Sequence, residues 1–475
     1  LTTKIQWNDT NEFPYDTFYW QGIDGTRVFT HFNKTHIWPD AEDIYHYTIE
    51  SEEGDVVRQK QVSDMRLISY GFGDGGGGPQ FEMIEAARRC LDTDGCPRAE
   101  HVRVGEFMQK LEQSVHAPAT YSGELYLELH RGTLTNQHRI KRNNRKAEIR
   151  LHDLETITVQ KAVQEGAAAS EAEIAPLVET LLVNQFHDIL PGTCIPRAHE
   201  ESLAATDALL RKAQEQVDAL TDLQTDSEQF TLVNTLSFDR RDVLFLEDRP
   251  GYKVDGAFRQ QSYTDLRGRK KRLLAGVYIP ALSSVSLRFI PESREPAADS
   301  PFVETGDTLT TPFAKVVFDD RGYIRSFTDT RNGRELCGEG YAFNTFLLAE
   351  DVPVSYDNWD VDADIQLKFH DCAQLLSRKT VSTGPVAHVI RSTYRLTPKS
   401  TLTQDMIFFA DSAEVRFDTQ IDWNDDHRFL KAAFDTSVFA DFARFEVQFG
   451  NVKRPTTRNT TIEQAKFEVV NHKYT

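Results

Sequence analysis

Cysteine is scarce in this 475-residue chain, and its five positions (Cys90, Cys96, Cys194, Cys337 and Cys372) are scattered. No CxxC pair occurs, which argues against a thiolate zinc site or a disulfide scaffold and favours a reducing compartment. Basic charge is also short: 54 Lys and Arg stand against 73 Asp and Glu, a net charge of -19. Nucleic acid and anionic membranes demand a basic footprint, so neither is expected as a partner. A run of about 18 apolar residues is missing, so no membrane span is expected. The opening "LTTKIQWNDTNEF" has no apolar h-region and is not a signal peptide. It starts on Leu1 without an initiator methionine and reads as a strand already under way, which points to a fragment of a longer chain. HExxH does not occur, which sets aside a zinc peptidase. GxxxxGK[ST] does not occur either, which sets aside a phosphate-binding loop.

What is present is enough sequence for several cores. At roughly 100–200 residues per domain, two to four domains are expected. Hydrophobic residues make up 39% of the chain, so packed cores rather than disorder are expected. Three textures divide it. Residues 1–118 mix strand-like pieces ("TRVFTHF", "DMRLISYGFG") with amphipathic helices ("PQFEMIEAARRCLD", "RVGEFMQKLEQSV"), the alternation of an α/β layer. Residues 119–226 carry three helical patterns joined by short loops, which predicts a three-helix bundle. In the second of these, Ile174, Leu177, Val178, Leu181 and Leu182 share one face; in the third, Leu203, Leu210, Ala213, Val217 and Leu220 do. Residues 227–475 break into short alternating runs separated by turns such as "DDRG" and "TRNGRE", the pattern of a β-sandwich region. The predicted fold class is therefore multidomain α/β, then α, then β.

Four stretches could carry chemistry. In "NQFHDILPGTCIP", His187 and Asp188 stand side by side where an apolar helix stops. Imidazole is the commonest metal ligand and a neighbouring carboxylate can orient it or bind hydroxyls. Taken in isolation, such a pair is more often a histidine interacting with a helix C-terminus followed by a turn aspartate. In "SYGFGDGGGGPQ", Asp74 precedes four glycines that let a ligand approach the backbone, a setting for acid/base work or simply a solvent loop. "GELYLELHRGT" combines Glu124, Tyr126, Glu128, His130 and Arg131, the groups sugar recognition uses and also those of a salt-bridged surface. The basic run 139–145 is expected to be a solvated face. Finally, Trp7, Phe13, Tyr15, Phe18, Tyr19 and Trp20 fit either a core or a carbohydrate cleft.

Taken in order, "KIQWNDTNEFPYDTFYWQGIDG", "GFGDGGGGP", "GELYLELHRGT", "NQFHDILPGT", "VNTLSFDRRDV" and "FADSAEVRFDTQIDW" resemble glycoside hydrolase family 38, the zinc-dependent retaining α-mannosidases, in their shorter bacterial and cytosolic form. The resemblance spans essentially the whole chain. It implies the C-terminal part of an α/β catalytic domain (1–118), a middle bundle (119–226) and β-sandwich structure (227–475) truncated at its end. It implies hydrolysis of terminal α-mannosides of oligosaccharides by double displacement, with Zn2+ on the mannose 2- and 3-hydroxyls. On the matching positions, His187 is implied as a zinc ligand, Asp188 as a contact to substrate hydroxyls and Asp74 as the acid/base. The longer enzymes have two adjacent aspartates there, whereas this chain has Asp74 and Gly75. Lys4 falls near a basic substrate contact, and Glu124 and Arg131 are implied cleft residues. The family's nucleophile and its other zinc ligands are expected upstream of Leu1. For the chain as it stands, the alternative is a non-catalytic carbohydrate-binding or structural remnant. The acidic charge, few cysteines and short-form resemblance point to the cytoplasm; a homo-oligomer is compatible with all of this.

Overall fold

A computed structural model describes residues 4–37, 59–72, 77–94, 98–169, 171–221, 228–292 and 299–475. The loop with Asp74 falls outside them. The chain forms two compact units, one of residues 1–131 with 440–475 and one of residues 132–439. The helical and β-rich textures on either side of residue 226 thus share a unit, and the last stretch of the β-rich texture belongs with the first 131 residues.

In the first unit, strand Thr17–Gln21 pairs antiparallel with Arg27–His31 and parallel with Ala119–Ser122. Its inward residue Phe18 packs with Ile5 and Phe32 under Phe13, Tyr15 and Tyr121. Phe13, Tyr15 and Phe18, half of the aromatic cluster in the opening segment, are therefore core. Trp20, at 40% exposure, is held by its indole N–H on the Gly123 carbonyl, 2.8 Å away. A parallel pair joins Lys34–Ile37 to Ile68–Tyr70, the short strand that leads towards residue 74. Helices α1 (Phe81–Arg89) and α2 (Val104–Ser114) follow, burying Met83 and Ala87, and Phe107 and Leu111. Buried His31 ties these parts together. Its Nε2 accepts from the Leu67 backbone N–H (3.2 Å), so its Nδ1–H faces the Thr17 hydroxyl (2.9 Å). Burial, with the Arg66 charge adding to it, lowers the imidazole from 6.5 to about 4 and keeps it neutral.

In the second unit, α3 (His138–Glu165), α4 (Ala175–Asn184) and α5 (Pro196–Leu220) form the bundle. Ala147, Leu151, Leu154 and Ile157 of α3 meet Leu177 and Leu181 of α4 and Leu209, Ala213 and Val217 of α5. Proline at the start of α5 needs no N–H there, and Gly166 ends α3 in the left-handed conformation (φ 67°). The apolar face predicted for α4 is narrower than expected. Val178 and Leu182 are 36% and 59% exposed, whereas Ile174, Leu177 and Leu181 pack into the bundle core.

The β-rich part is layered. A four-stranded antiparallel meander (Gln374–Thr383, Ala387–Arg395, Thr401–Phe409, Val415–Asp422) is covered on both faces. Ile390, Met406 and Phe408 pack on Leu309, Val316, Phe318 and Ile324 of a larger sheet. The alternate residues Ala387, Val389, Ile407 and Phe409 pack on Tyr263 and Leu273 of a small three-stranded sheet. Double coverage explains why "MIFFA" is an unbroken apolar run where a one-sided strand would alternate. Among the described residues no helix is long and apolar enough to cross a membrane.

Candidate functional site

His187 and Asp188 sit in the loop that begins where α4 ends at Asn184. The Gln185 N–H closes the helix on the Leu181 and Leu182 carbonyls, and its side-chain amide reaches Asn144 (3.0 Å) and Glu148 (3.3 Å) on α3. Two turns then follow on the Phe186 carbonyl, which accepts from Ile189 and Leu190. The rings of Phe186 and His187 lie 4.4 Å apart. His187 Nε2 is 3.4 Å from Asp188 Oδ2, and the two side chains are 72% and 46% exposed. Thr193 turns back on Asp188. Its hydroxyl donates to Oδ1 (3.1 Å) and its backbone N–H to the Asp188 carbonyl (3.0 Å). Asp188 Oδ1 is thereby engaged, while His187 and much of the Asp188 carboxylate stay open to solvent.

The backbone under the pair is held from outside the loop. Lys141, on α3, donates to the carbonyls of Leu190 and Pro191, each at 3.0 Å, and to that of Asn136. Burial lowers this ammonium from 10.5 to about 8. Gly192 has φ +86°, and a Cβ there would lie 2.9 Å from the Gln137 side chain, so the position requires glycine. The Asn358 amide donates to the Gly192 carbonyl (2.7 Å). Neither Thr193 nor Lys141 was marked by the sequence as a site residue. Lys141 lay within a basic run read as solvated, yet it is half-buried. The adjacency of "PGT" to the His-Asp pair is the one signal that could have pointed to Thr193.

Lys4, Glu124 and Arg131 lie in the first unit, and the last two are occupied there. Glu124 accepts from Arg454 through both oxygens (2.8 and 2.5 Å), with Lys466 4.0 Å away. Arg131 is buried. It donates to the Glu128 and Ala465 carbonyls (2.9 and 3.0 Å) and to Tyr126 Oη (3.2 Å), and it lies 4.4 Å from the Phe467 ring. Glu128, also buried, accepts from the Thr10 and Asn11 backbone N–H groups and from the Asn11 amide at 2.7–3.0 Å. The "GELYLELHR" carboxylates thus clamp "NDTN" and the returning C-terminal segment. Lys4 opens a short helical turn with its ammonium 5.1 Å from the Trp7 ring centre.

Among the described residues no three His, Cys, Asp or Glu side chains gather closely enough to hold a metal ion. A catalytic zinc takes three protein ligands. The His187 imidazole with Asp188 beside it supplies fewer, so the described residues do not by themselves fit a zinc ion. His187 stands as a single candidate ligand.

Comparison with known proteins gives this geometry a context. Residues 1–124 match the glycosyl hydrolases family 38 N-terminal domain, 128–223 the alpha mannosidase middle domain and 309–475 the glycosyl hydrolases family 38 C-terminal domain. The chain is 31% identical over 491 residues to alpha-mannosidase 2C1 of Homo sapiens, a match covering 100% of this chain and 44% of that protein. It is 28% identical over 502 residues to alpha-mannosidase of Saccharomyces cerevisiae, covering 100% of this chain and 42% of that one. The chain therefore spans about half the length of the curated relatives it matches. A crystal structure of an alpha-mannosidase from Enterococcus faecalis V583 superposes with a TM-score of 0.72 at 14% identity, covering 94% of this chain and 60% of that one. At that identity the likeness concerns the fold.

Proposed function

Because the chain belongs to glycosyl hydrolase family 38, we propose that its parent protein is a zinc-dependent retaining α-mannosidase acting on terminal α-mannosides of oligosaccharides. The observation that carries this reading is the His187–Asp188 pair, left open to solvent on a loop whose backbone is tied down by Lys141, Thr193 and Asn358. Rigid support with unspent side chains is what a binding group needs.

In this reading Asp74 protonates the glycosidic oxygen as the bond breaks. It then takes a proton from the water that releases the sugar, while a carboxylate nucleophile expected upstream of Leu1 holds the glycosyl group between the two steps. Asp188 accepts hydrogen bonds from sugar hydroxyls, with Thr193 fixing its rotamer. His187 would supply one nitrogen to a zinc ion, which would polarise the bound sugar hydroxyls, and the remaining ligands would have to come from that same upstream segment. Lys4 remains a candidate substrate contact. Glu124 and Arg131 serve indirectly, by holding the returning C-terminal segment through Arg454 and the Ala465 carbonyl. The free thiols Cys194, Cys337 and Cys372 support a cytoplasmic setting.

The test uses the full-length protein, an aryl α-mannoside and a chelator titration, with proton NMR of the first-formed anomer. The reading expects release of α-mannose, loss of activity with metal removal, and Asp74→Asn slower by about 100-fold or more. Activity indifferent to zinc removal, or on another sugar alone, would sink it.

A further inference from the structure

The loop of the His-Asp pair is pinned to α3 on both sides. Before the pair, the Gln185 amide bonds Asn144 and Glu148. After it, Lys141 takes the carbonyls of Leu190 and Pro191, which lie 49 and 50 residues further along the chain. Its third bond goes to the Asn136 carbonyl in the turn before α3. All three of these acceptors are backbone oxygens. A charged donor shared among carbonyls makes strong, directional bonds and neutralises nothing, so its role here is geometric. The side chains between the pins, 72% and 46% exposed, touch one another, and Thr193 engages one Asp188 oxygen, yet both stay open to solvent.

We propose that Lys141 is a positioning residue for His187 and Asp188: its ammonium fixes the Leu190 and Pro191 carbonyls and so sets where the two exposed side chains stand. The Asn358 bond to the Gly192 carbonyl extends the same support by one residue. Without Lys141 the Gln185 end stays anchored, the far end loosens, and the pair swings about Phe186. The catalytic consequence rests on the functional reading above, since an orientation effect appears as a rate only if the pair touches substrate.

The experiment compares wild type, Lys141→Met and Lys141→Arg in the full-length protein by two readouts. The first is hydrogen exchange of peptides covering residues 186–193, against the bundle core at 147–157. The second is kcat and KM on an aryl α-mannoside. Lys141→Met should speed exchange in 186–193 at least several-fold with the core unchanged. It should lower kcat by about 100-fold, the scale of an ångström of misplacement, with KM within a few-fold. Lys141→Arg, which keeps charged donors, should recover most of both. Should Lys141→Met fold poorly, Lys141→Gln retains two donors on a shorter stem and should fall between. Unchanged exchange in 186–193 would overturn the proposal, as would loosened exchange with full activity. A wild-type protein inactive on every α-mannoside would instead remove the functional reading, and the exchange result would still decide whether Lys141 holds the loop.

Discussion

Two polar regions of this molecule use similar side chains to opposite ends. In the first unit, Glu124, Glu128 and Arg131 are drawn inward and spend their hydrogen-bonding capacity on one another's neighbourhood, on Arg454 and on backbone groups. In the second, His187 and Asp188 stay largely exposed: Thr193 engages one Asp188 oxygen, and Lys141 holds the backbone that follows the pair. A charged group whose partners are all supplied by the fold is architecture. A charged group whose backbone is fixed but whose side chain is unspent can serve a ligand. Substitutions in the two regions should therefore fail differently, the first in stability and the second in activity.

The largest expected effect lies in the first region. Arg454→Met leaves the Glu124 carboxylate, 18% exposed, without the guanidinium that pairs both its oxygens. Breaking such a buried pair costs about 3–5 kcal/mol, and a denaturant titration should show that loss. A stability unchanged within about 1 kcal/mol would mean that the pair is not part of the frame.

Next comes His31. Its folded value of about 4 lies below the 6.5 of an unperturbed imidazole, so between those values the unfolded chain binds the extra proton. The stability it confers is fully present above pH 6.5 and is lost as pH falls towards 4. In all this amounts to about 3 kcal/mol. His31→Gln should flatten the slope of unfolding free energy between pH 6.5 and 5. A slope identical to wild type would show that the ring titrates normally.

The smallest effect separates the regions most cleanly. Thr193→Ala removes one hydroxyl bond to Asp188, worth about 1 kcal/mol. Hydrolysis should slow several-fold while the melting temperature shifts by no more than a few degrees. A stability loss without a rate loss would place Thr193 with the architectural group.

Periodicity made much of the fold legible. The three helical patterns coincide with α3, α4 and α5. Long-range pairing stayed hidden, because nothing local in "GELYLELHR" announces that Glu124 will meet Arg454, 330 residues away. The same holds for Lys141, whose partners are carbonyls and leave no mark in side-chain type. The His-Asp pair was legible as a pair, but its exposure was not. That depends on α4 packing Leu177 and Leu181 into the bundle core and leaving Val183 and Phe186 at 67% and 61% exposure.

The most direct test is hydrolysis of an aryl α-mannoside by the full-length protein carrying Asp188→Ala, with its melting temperature measured in parallel. Loss of an oriented, charge-assisted contact to the reacting sugar should lower kcat/KM by about 100-fold or more, with the melting temperature within a few degrees of wild type. Undiminished kcat/KM, or a loss explained entirely by unfolding, would contradict the claim that this exposed pair is the working part of the site.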